Sequence, residues 1–354
     1  MRLWIDVVNA PHVRLFYRLL RQRSGEVDSV LVTIRDYGSL RQLADDLISP
    51  IVDEIGEVVS VGGRGESRAE KLKLHLSRVL ELVDIVNNFR PDVALAKASP
   101  ELARVSFGLG IPSVLANDNE KSVYVSRLCF PLADSIVLPD CFPLDAALRS
   151  GADPSTIRRF KGVFEVAHVL SYREWGPYER VDLDALGLVS EEFVVFRPEP
   201  VGASYLEGSL DALGYLKALL ESYDVVVFPR GKDIPRLQSP RKLIVVDSPI
   251  DYLDLVSKAI AFVGGGGTMT REAALLGIPS ASVYPGEEPS VNIELEREGL
   301  VWRIRSPSEL PEFLRAAESR SDWASKASSY LQKSDDPPVV LWSEAIKLGS
   351  CGTS

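Results

Sequence analysis

The stretch Val263-Gly264-Gly265-Gly266-Gly267-Thr268-Met269-Thr270-Arg271-Glu272-Ala273-Ala274-Leu275-Leu276-Gly277-Ile278-Pro279 predicts a strand, a glycine turn, a helix and the start of a second strand. Four consecutive glycines remove every Cβ where the turn is tight, and the helix directs unpaired N–H groups at the same point. An anion suits this place. Glu272 lies near the helix entrance, where its two oxygens suit a pair of ribose hydroxyls. The stretch therefore predicts a site for a nucleotide diphosphate conjugate, with a tight turn that binds nothing as the alternative.

Two common glycine motifs do not match this stretch. The Walker motif needs Gly-Lys-Ser/Thr after its loop, and the dinucleotide fingerprint needs spaced glycines early in a βαβ unit. The sequence thus predicts neither a P-loop nor a dinucleotide site.

The composition is that of an ordinary globular protein. The chain has 354 residues, 45% of them hydrophobic and 25% charged, a length that suits two α/β domains. No apolar run is long enough for a bilayer, and the acid within the first residues is unlike a secretion signal, so a cytoplasmic protein is expected. Three cysteines without C-x-x-C spacing predict neither disulfides nor a zinc site. A net charge of −10 argues against a nucleic-acid partner.

Short β-rich runs alternate with amphipathic helices through the first half, as where Ser29–Ile34 is followed by Leu40–Leu47. Such alternation predicts a parallel, doubly wound sheet. The run 135–138 is predicted to be the last strand of the first half. A break in the pattern follows at 160–177, and the alternation of strands and helices begins again at 193–196. The predicted divisions are an N-terminal Rossmann-like domain over 1–165, a second such domain over 166–336, and a C-terminal helix and tail over 337–354 that packs back on the first domain.

Residues just after the strands of a parallel sheet form its ligand-binding edge. The first such turn is Asp6-Val7-Val8-Asn9-Ala10-Pro11-His12-Val13, in which Pro11 suits the first position of a helix. A helix N-terminus lowers the pKa of a histidine and keeps it neutral, which suits proton abstraction from a hydroxyl. His12 is therefore predicted to be a catalytic base or an acceptor-binding residue, the alternative being a polar residue at a helix start. His75 and His168 are predicted to be structural.

A second turn, Asn117-Asp118-Asn119-Glu120-Lys121, is dense in polar side chains directly after a strand. Such density suits a site better than a core. Asp118 and Glu120 have the spacing of the acidic metal-binding motif of single-domain glycosyltransferases, but two similar halves argue against that architecture, and no metal is predicted. A helix cap followed by a first-turn acid is the alternative interpretation.

Two arginines follow strands of the second half, Arg197 in Phe196-Arg197-Pro198-Glu199-Pro200 and Arg230 in Phe228-Pro229-Arg230-Gly231-Lys232. Both are predicted to lie at the same sheet edge as the glycine run, where the planar, permanently charged guanidinium group of arginine suits a diphosphate. The hydroxyl of Thr268 adds a further phosphate contact. Either arginine could instead form a surface ion pair.

A basic region interrupts the otherwise acidic chain. It favours contact with an anionic membrane that holds a lipid-linked acceptor, although a solvated helix face has the same pattern. Its residues are Arg14, Arg18, Arg21, Arg23, Arg64, Arg68, Lys71, Lys73 and Arg78.

The chain as a whole resembles the GT-B superfamily, in which two Rossmann-like domains face a nucleotide-sugar cleft and which includes the UDP-N-acetylglucosamine 2-epimerases. More narrowly, it is similar to a prokaryotic family of unknown function. The motifs that carry the narrow likeness are Asp6-x-x-Asn9-x-Pro11-His12-Val13, Asp118-Asn119-Glu120, Pro131-Leu132-Ala133-Asp134, Arg197-Pro198-Glu199-Pro200 and Gly265-Gly266-Gly267-Thr268-Met269.

The turn at His12 is also similar to the glycine-histidine turn of the N-acetylglucosaminyltransferase that completes the lipid-linked peptidoglycan precursor, where the histidine serves the acceptor. Glu272 matches the ribose-binding glutamate of that class. The chain departs from it where Arg197-Pro198-Glu199 replaces a serine- and glycine-rich phosphate loop. Two epimerase motifs are also missing, although Glu120 falls near the glutamate of one of them.

The leading hypothesis is a glycosyltransferase that needs neither metal nor cofactor. It would bind a UDP-sugar in the second domain and a lipid-linked or glycan acceptor in the first. His12 or Glu120 would deprotonate the acceptor, while Arg197, Arg230 and the glycine turn stabilise the leaving diphosphate. The first alternative is a sugar-nucleotide 2-epimerase with Asp118 and Glu120 as acid and base. The second is a non-catalytic nucleotide-sugar-binding protein.

These hypotheses also define the expected partners and site residues. No nucleic acid is expected, membrane contact is at most peripheral, and a homodimer is left open. The predicted catalytic residues are His12, Glu120 and Asp118. The predicted substrate-binding residues are Asp6, Asn9, Asn117, Asn119, Arg197, Glu199, Arg230, Gly265, Gly266, Gly267, Thr268, Met269 and Glu272.

Overall fold

The computed structural model describes residues 1–198, 211–229, 239–246 and 248–351 of the chain. These residues form two compact units. The first comprises Met1–His168 with Asp335–Ser354, and the second comprises Val169–Ser334. Glu199 and Arg230, two of the predicted substrate-binding residues, lie outside the described residues.

The first unit is built on a seven-stranded sheet in the order β3-β2-β1-β4-β5-β6-β7, and every neighbouring pair is parallel. Its strands are β1 (Arg2–Val7), β2 (Ser29–Ile34), β3 (Gly56–Ser60), β4 (Val93–Lys97), β5 (Ser113–Ala116), β6 (Ser135–Pro139) and β7 (Ile157–Phe160). The helices that follow these strands are α1 (Ala10–Arg23), α2 (Leu40–Leu47), α3 (Ser49–Val52), α4 (Arg68–Phe89), α5 (Pro100–Leu109), α6 (Val123–Cys129), α7 (Leu144–Arg149) and α8 (Glu165–Trp175).

The inner strands of this sheet are buried on both faces because helices cover both sides. Every residue of β4 and β6 is buried, which explains their nearly continuous apolar sequences. On one face, α4, α5, α6 and α7 share a single core with the sheet, to which they contribute residues such as Leu82, Leu102, Cys129 and Ala147. Burial of this apolar surface is the main source of stability for the unit.

One part of the sequence prediction is wrong. The segment 160–177, predicted as a break, contains helix α8, and the strand β7 follows β6, which was expected to be the last strand. The helix lacks a clear apolar stripe because Val163 to Val169 are all buried, polar residues included. A helix covered on several sides has no amphipathic signal to read. His168 therefore lies in a buried helix rather than in a linker.

The second unit has a six-stranded parallel sheet in the order β10-β9-β8-β11-β12-β13. Its strands are β8 (Phe193–Arg197), β9 (Asp224–Val227), β10 (Leu243–Val245), β11 (Ala261–Gly264), β12 (Ser280–Ser282) and β13 (Val301–Arg303). Its helices are α9 (Leu183–Leu186), α10 (Ala212–Leu220), α11 (Tyr252–Ser257), α12 (Gly267–Leu276), α13 (Ser290–Arg297), α14 (Leu310–Ala317) and α15 (Arg320–Lys333).

The last helix, α16 (Pro337–Cys351), belongs to the first unit, where it lies against α1 and against β4, β5 and β6. Polar contacts fix its start and its middle. Asp336 accepts hydrogen bonds from the guanidinium of Arg18 at 2.9 and 3.0 Å, and the buried Glu344 accepts one from Ser135 at 3.0 Å. No helix in the described ranges combines the length and the apolar character needed to span a bilayer.

Candidate functional site

Each of the two sheets has a point at which its strand order reverses. In the first sheet this point lies between β1 and β4, and in the second between β8 and β11. Loops that leave adjacent strands in opposite directions open a crevice there, at the carboxyl ends of the strands, where doubly wound sheets bind their ligands. The turn that holds His12 follows β1, and the glycine turn follows β11. Both sequence-predicted turns thus lie at these reversal points.

His12 sits in the first turn of α1, and its side chain is only 6% exposed. Pro11 starts the helix, and the backbone N–H of His12 donates to the carbonyl of Asn9 at 2.9 Å. Asn9 in turn accepts a hydrogen bond from the hydroxyl of Tyr37 at 2.8 Å. Within the described ranges, no atom donates to or accepts from Nδ1 of His12. This nitrogen keeps its hydrogen-bonding capacity for another group.

The surroundings of His12 favour its neutral form. Burial lowers the pKa of His12 well below the usual 6.5, and electrostatic interactions with Lys97, His168 and Arg35 lower it further. A histidine with such a pKa is uncharged at neutral pH and can accept a proton. Its acid–base state therefore matches the one that the sequence predicts for a catalytic base.

Lys97 ends β4, beside the end of β1, and sequence reasoning missed it. Its ammonium lies 2.9 Å from the carboxylate of Asp118, at the end of the neighbouring strand β5, and 4.5 Å from the centre of the Phe164 ring. Both charged side chains are 9% exposed. The next residue, Ala98, has φ of +50°, a conformation that costs free energy and that recurs at functional sites. The sequence feature that could have identified Lys97 is a lone lysine at the end of an apolar strand.

The turn after β5 is shaped by its own amide side chains. Asn117 accepts hydrogen bonds from the backbone N–H groups of Asp118 at 2.8 Å and Asn119 at 3.1 Å, and it donates to Ser126 at 3.0 Å. Asn119 accepts from the backbone of Lys121 at 3.0 Å. Glu120 lies on this turn and is half-buried. Asn117 and Asn119 therefore hold the loop that carries Asp118 and Glu120.

Asp6 lies deeper than the other predicted residues, fully buried beneath the turn. Its carboxylate accepts hydrogen bonds from Thr33 at 2.6 Å, from Ser99 at 2.5 Å and from two nitrogens of Arg78 at 2.6 and 3.1 Å. These four bonds use the capacity of a carboxylate. The structure thus gives Asp6 a position in an internal ion pair that joins β1, β2, α4 and the start of α5.

Glu101 extends this network toward Arg35. Burial alone would raise the pKa of Glu101, but a hydrogen bond from His75 and the charges of Arg35 and Arg78 hold it at about 2. The ionised carboxylate pairs with the guanidinium of Arg35, one of the groups that keep His12 neutral. The ion pair with Glu101 therefore holds the positive charge of Arg35 near His12.

The glycine turn of the second unit joins β11 to α12, with Gly266 as the helix cap. The backbone N–H of Gly265 donates to the carbonyl of Arg197 at 3.0 Å, and a guanidinium nitrogen of Arg197 donates to the sulfur of Met269 at 2.7 Å. Arg197, at the end of β8, therefore lies directly beside the turn. The α12 N-terminus supplies the unpaired N–H groups and positive dipole end that favour an anion.

Two of the glycines are closely packed. A Cβ on Gly264 would lie 2.6 Å from the Phe262 ring, and one on Gly267 would meet the guanidinium of Arg271. Arg271 is buried and donates to Asn292 on α13 at 2.8 Å. Thr268 lies in the first turn of α12, and Glu272, 4% exposed, lies one turn further on. The predicted residues Gly265, Gly266, Gly267, Thr268, Met269, Glu272 and Arg197 are thus grouped at one sheet edge.

Comparison with known proteins assigns the chain to a family. The family model described as Protein of unknown function (DUF354) matches residues 1–327. The chain belongs to the DUF354 family. A relative from Methanocaldococcus jannaschii, named Uncharacterized protein MJ0665, is 35% identical to this DUF354 chain over 80% of the chain and 82% of its own length. The family resemblance predicted from the motifs is confirmed.

Solved structures confirm the predicted fold of this DUF354 chain. The spinosyn forosaminyltransferase SpnP is 14% identical and has a TM-score of 0.65, with 99% of each chain covered. The UDP-GlcNAc 2-epimerase of M. jannaschii, in complex with UDP-GlcNAc and UDP, is also 14% identical with a TM-score of 0.65, covering 90% of this chain and 92% of its own. At this identity the likeness concerns the fold alone: two Rossmann-like, parallel-sheet domains of GT-B type.

The role of Lys97 beside His12 can be tested by titration. Lys97→Met is expected to raise the pKa of His12 toward 6.5, because it removes a nearby positive charge and leaves the carboxylate of Asp118 without its ammonium partner. The imidazole proton resonances of only three histidines need to be followed by NMR. Lys97→Arg keeps the charge and should leave the titration of His12 low. An unchanged titration in Lys97→Met would contradict this assignment.

Proposed function

We propose that this DUF354 chain is a metal-independent glycosyltransferase that uses a UDP-sugar donor. The second unit would bind the donor, and His12 of the first unit would take the proton of the acceptor hydroxyl. One observation carries the proposal: His12 is a buried histidine with a lowered pKa, and its Nδ1 has no partner in the described part of the chain. It lies where a parallel sheet binds ligands.

The donor side of the proposal depends on the glycine turn. The diphosphate would accept hydrogen bonds from the first N–H groups of α12 and from Thr268, and the guanidinium of Arg197 would balance its charge. Glu272, buried in the second turn of α12, would accept hydrogen bonds from the ribose hydroxyls. Support also comes from the M. jannaschii epimerase of the same fold, whose structure holds UDP-GlcNAc and UDP.

The reaction we infer is a single displacement at the anomeric carbon. The acceptor oxygen forms a bond to this carbon while the bond from the carbon to the diphosphate oxygen breaks. His12 takes the hydroxyl proton, and UDP leaves with the bonding electron pair. Neutral histidine suits the first task, and fixed positive groups at a helix N-terminus suit the second, because charge develops on the leaving oxygen.

Sugar-nucleotide 2-epimerisation is the second candidate, and one feature favours it. Asp118 and Glu120 lie on one ordered turn at the edge of the first sheet, as an acid–base pair acting at C2 of the sugar would require. Against it, the carboxylate of Asp118 is already engaged in an ion pair with Lys97 at 2.9 Å. We therefore place transfer first.

The proposal is tested by incubating the full chain with UDP-N-acetylglucosamine, alone and with a cell-lipid extract, and measuring UDP release. Release that requires the extract is expected, with the glycosylated acceptor identified by mass spectrometry. Glu272→Gln should weaken donor binding, whereas Glu318→Gln, an exposed glutamate after α14, should not. UDP-N-acetylmannosamine formed without acceptor would favour the epimerase instead.

A further inference from the structure

Exposed apolar side chains concentrate on one face of the first unit. Of the fifteen large hydrophobic residues exposed in the described ranges, ten lie on α4, α5, α6 and α7. They include Leu72, Leu76 and Leu80 on α4, Phe107 on α5, and Tyr124 and Leu128 on α6. Because the four helices share one core with the sheet, these residues belong to a single outer surface, here called the α4–α7 face. Apolar patches of this kind mark interaction surfaces.

The centre of this surface is a stripe on α4. Leu72, Leu76 and Leu80 are 59%, 54% and 70% exposed, and a spacing of four residues places them on one side of the helix. Val79 and Val83 lie partly buried next to them. A stripe of leucines at this spacing, flanked by smaller apolar residues, is the surface that one helix presents to another.

The charges along α4 indicate which helix would pack against this stripe. The N-terminal half carries the exposed cations Arg68, Lys71 and Lys73, and the C-terminal half carries the exposed acids Glu81 and Asp84. Glu70, the acid of the N-terminal half, accepts a hydrogen bond from the backbone of Glu66 at the helix start. A second copy of α4 in antiparallel orientation would place each basic half against an acidic half, with Leu76 near the centre.

We propose that the α4–α7 face is the interface of a two-fold dimer of this chain, in which α4 packs antiparallel against α4 of a second copy. A two-fold axis uses the same patch on both subunits, so a helix with opposite charges at its two ends is self-complementary. An anionic membrane is a poorer match, because the acid Asp84, four residues after Leu80 on the same side of the helix, would face the lipid headgroups. This inference does not depend on the proposed function.

The test measures the mass of the full chain in solution by sedimentation equilibrium. Wild type should have twice the chain mass of 38.9 kDa. Leu76→Glu should raise the dimer dissociation constant at least about tenfold, because the buried charge faces its own copy across the axis. Leu213→Glu, at an exposed leucine on α10, is the matched control and should stay dimeric. Leu76 is 54% exposed, and a far-ultraviolet circular dichroism spectrum like that of wild type would verify that the variant folds.

Charge exchange gives a second readout that does not remove apolar surface. Lys73→Glu alone should weaken the dimer, whereas the double variant Lys73→Glu and Asp84→Lys reverses the charges beside the stripe at both ends and should restore it. A wild-type chain that is monomeric, or a Leu76→Glu variant that dimerises like wild type, would overturn the proposal. So would a monomer that floats with phosphatidylglycerol vesicles through Leu76.

Discussion

His12→Ala is expected to lower the turnover number for sugar transfer by about 10²- to 10⁴-fold, the range typical for loss of a general base. The physical reason is that Nδ1 of His12 is buried, without a partner in the described ranges, and kept neutral by burial and by Lys97, His168 and Arg35. UDP affinity should change little, because the proposal assigns UDP to the glycine turn. The measurement is kcat and KM with donor and acceptor varied, together with calorimetric UDP binding.

His75→Gln is the matched control for this substitution. His75 is also a histidine of the first unit, but it lies on α4 and pairs with Glu101 at 3.2 Å. Its replacement should alter kcat far less than His12→Ala. Wild-type activity should fall on the acid side only below pH 6.5, since the pKa of His12 is lowered. A His12→Ala enzyme with unchanged turnover would remove the catalytic role from this residue.

The largest effect on stability is expected for Arg78→Ala. Arg78 and Asp6 form a two-pronged ion pair, 1% and 0% exposed, and removing the cation leaves a carboxylate buried without a charge partner. Breaking such a pair costs about 3–5 kcal/mol. The free energy of unfolding measured with urea at pH 7 should fall by that amount.

Two further variants distinguish the loss of the ion pair from a general destabilisation of α4. Asn88→Ala changes an exposed amide on the same helix and should alter the free energy of unfolding by no more than about 0.5 kcal/mol. The double variant Asp6→Asn with Arg78→Met removes both charges and should recover part of the loss, as is common for buried pairs. An Arg78→Ala chain as stable as wild type would mean that the Asp6 carboxylate is protonated or hydrated in the folded state.

Much of the fold could be predicted from the sequence. The helix Leu40–Leu47 and the strand Ser29–Ile34 were predicted to the residue, because the helix has one buried side and the strand is a nearly continuous apolar run inside a parallel sheet. The strand β7 and the helix α8 were missed for the opposite reason. Gly162 and Pro177 suggested a loop. The residues around His168 are buried on all sides of the helix, so they do not show the alternation of apolar and polar positions that predicts a helix.

The candidate site also has residues that the sequence could identify and residues that it could not. His12, Asp118 and the glycine turn could be found because each directly follows a strand. Strand order then brings His12 and Asp118 to one edge of the first sheet and the glycine turn to an edge of the second. The partners of these residues could not be found. Asp6 meets Arg78 across 72 positions, and Lys97 meets Asp118 across 21. Such pairings depend on where α4 lies against the sheet and on the pairing of β4 with β5, which local sequence patterns do not encode.

Proton NMR of UDP-N-acetylglucosamine incubated with the chain in D₂O tests the central claim most directly. Epimerisation at C2 removes the C2 proton and returns a deuteron from the solvent, whereas transfer leaves the C2–H bond intact. For a transferase, we expect the C2 proton signal to persist without acceptor, and UDP and a glycosylated product to appear when the lipid extract is added. Loss of the C2 signal, with the manno isomer formed in the absence of acceptor, would contradict the proposed transfer.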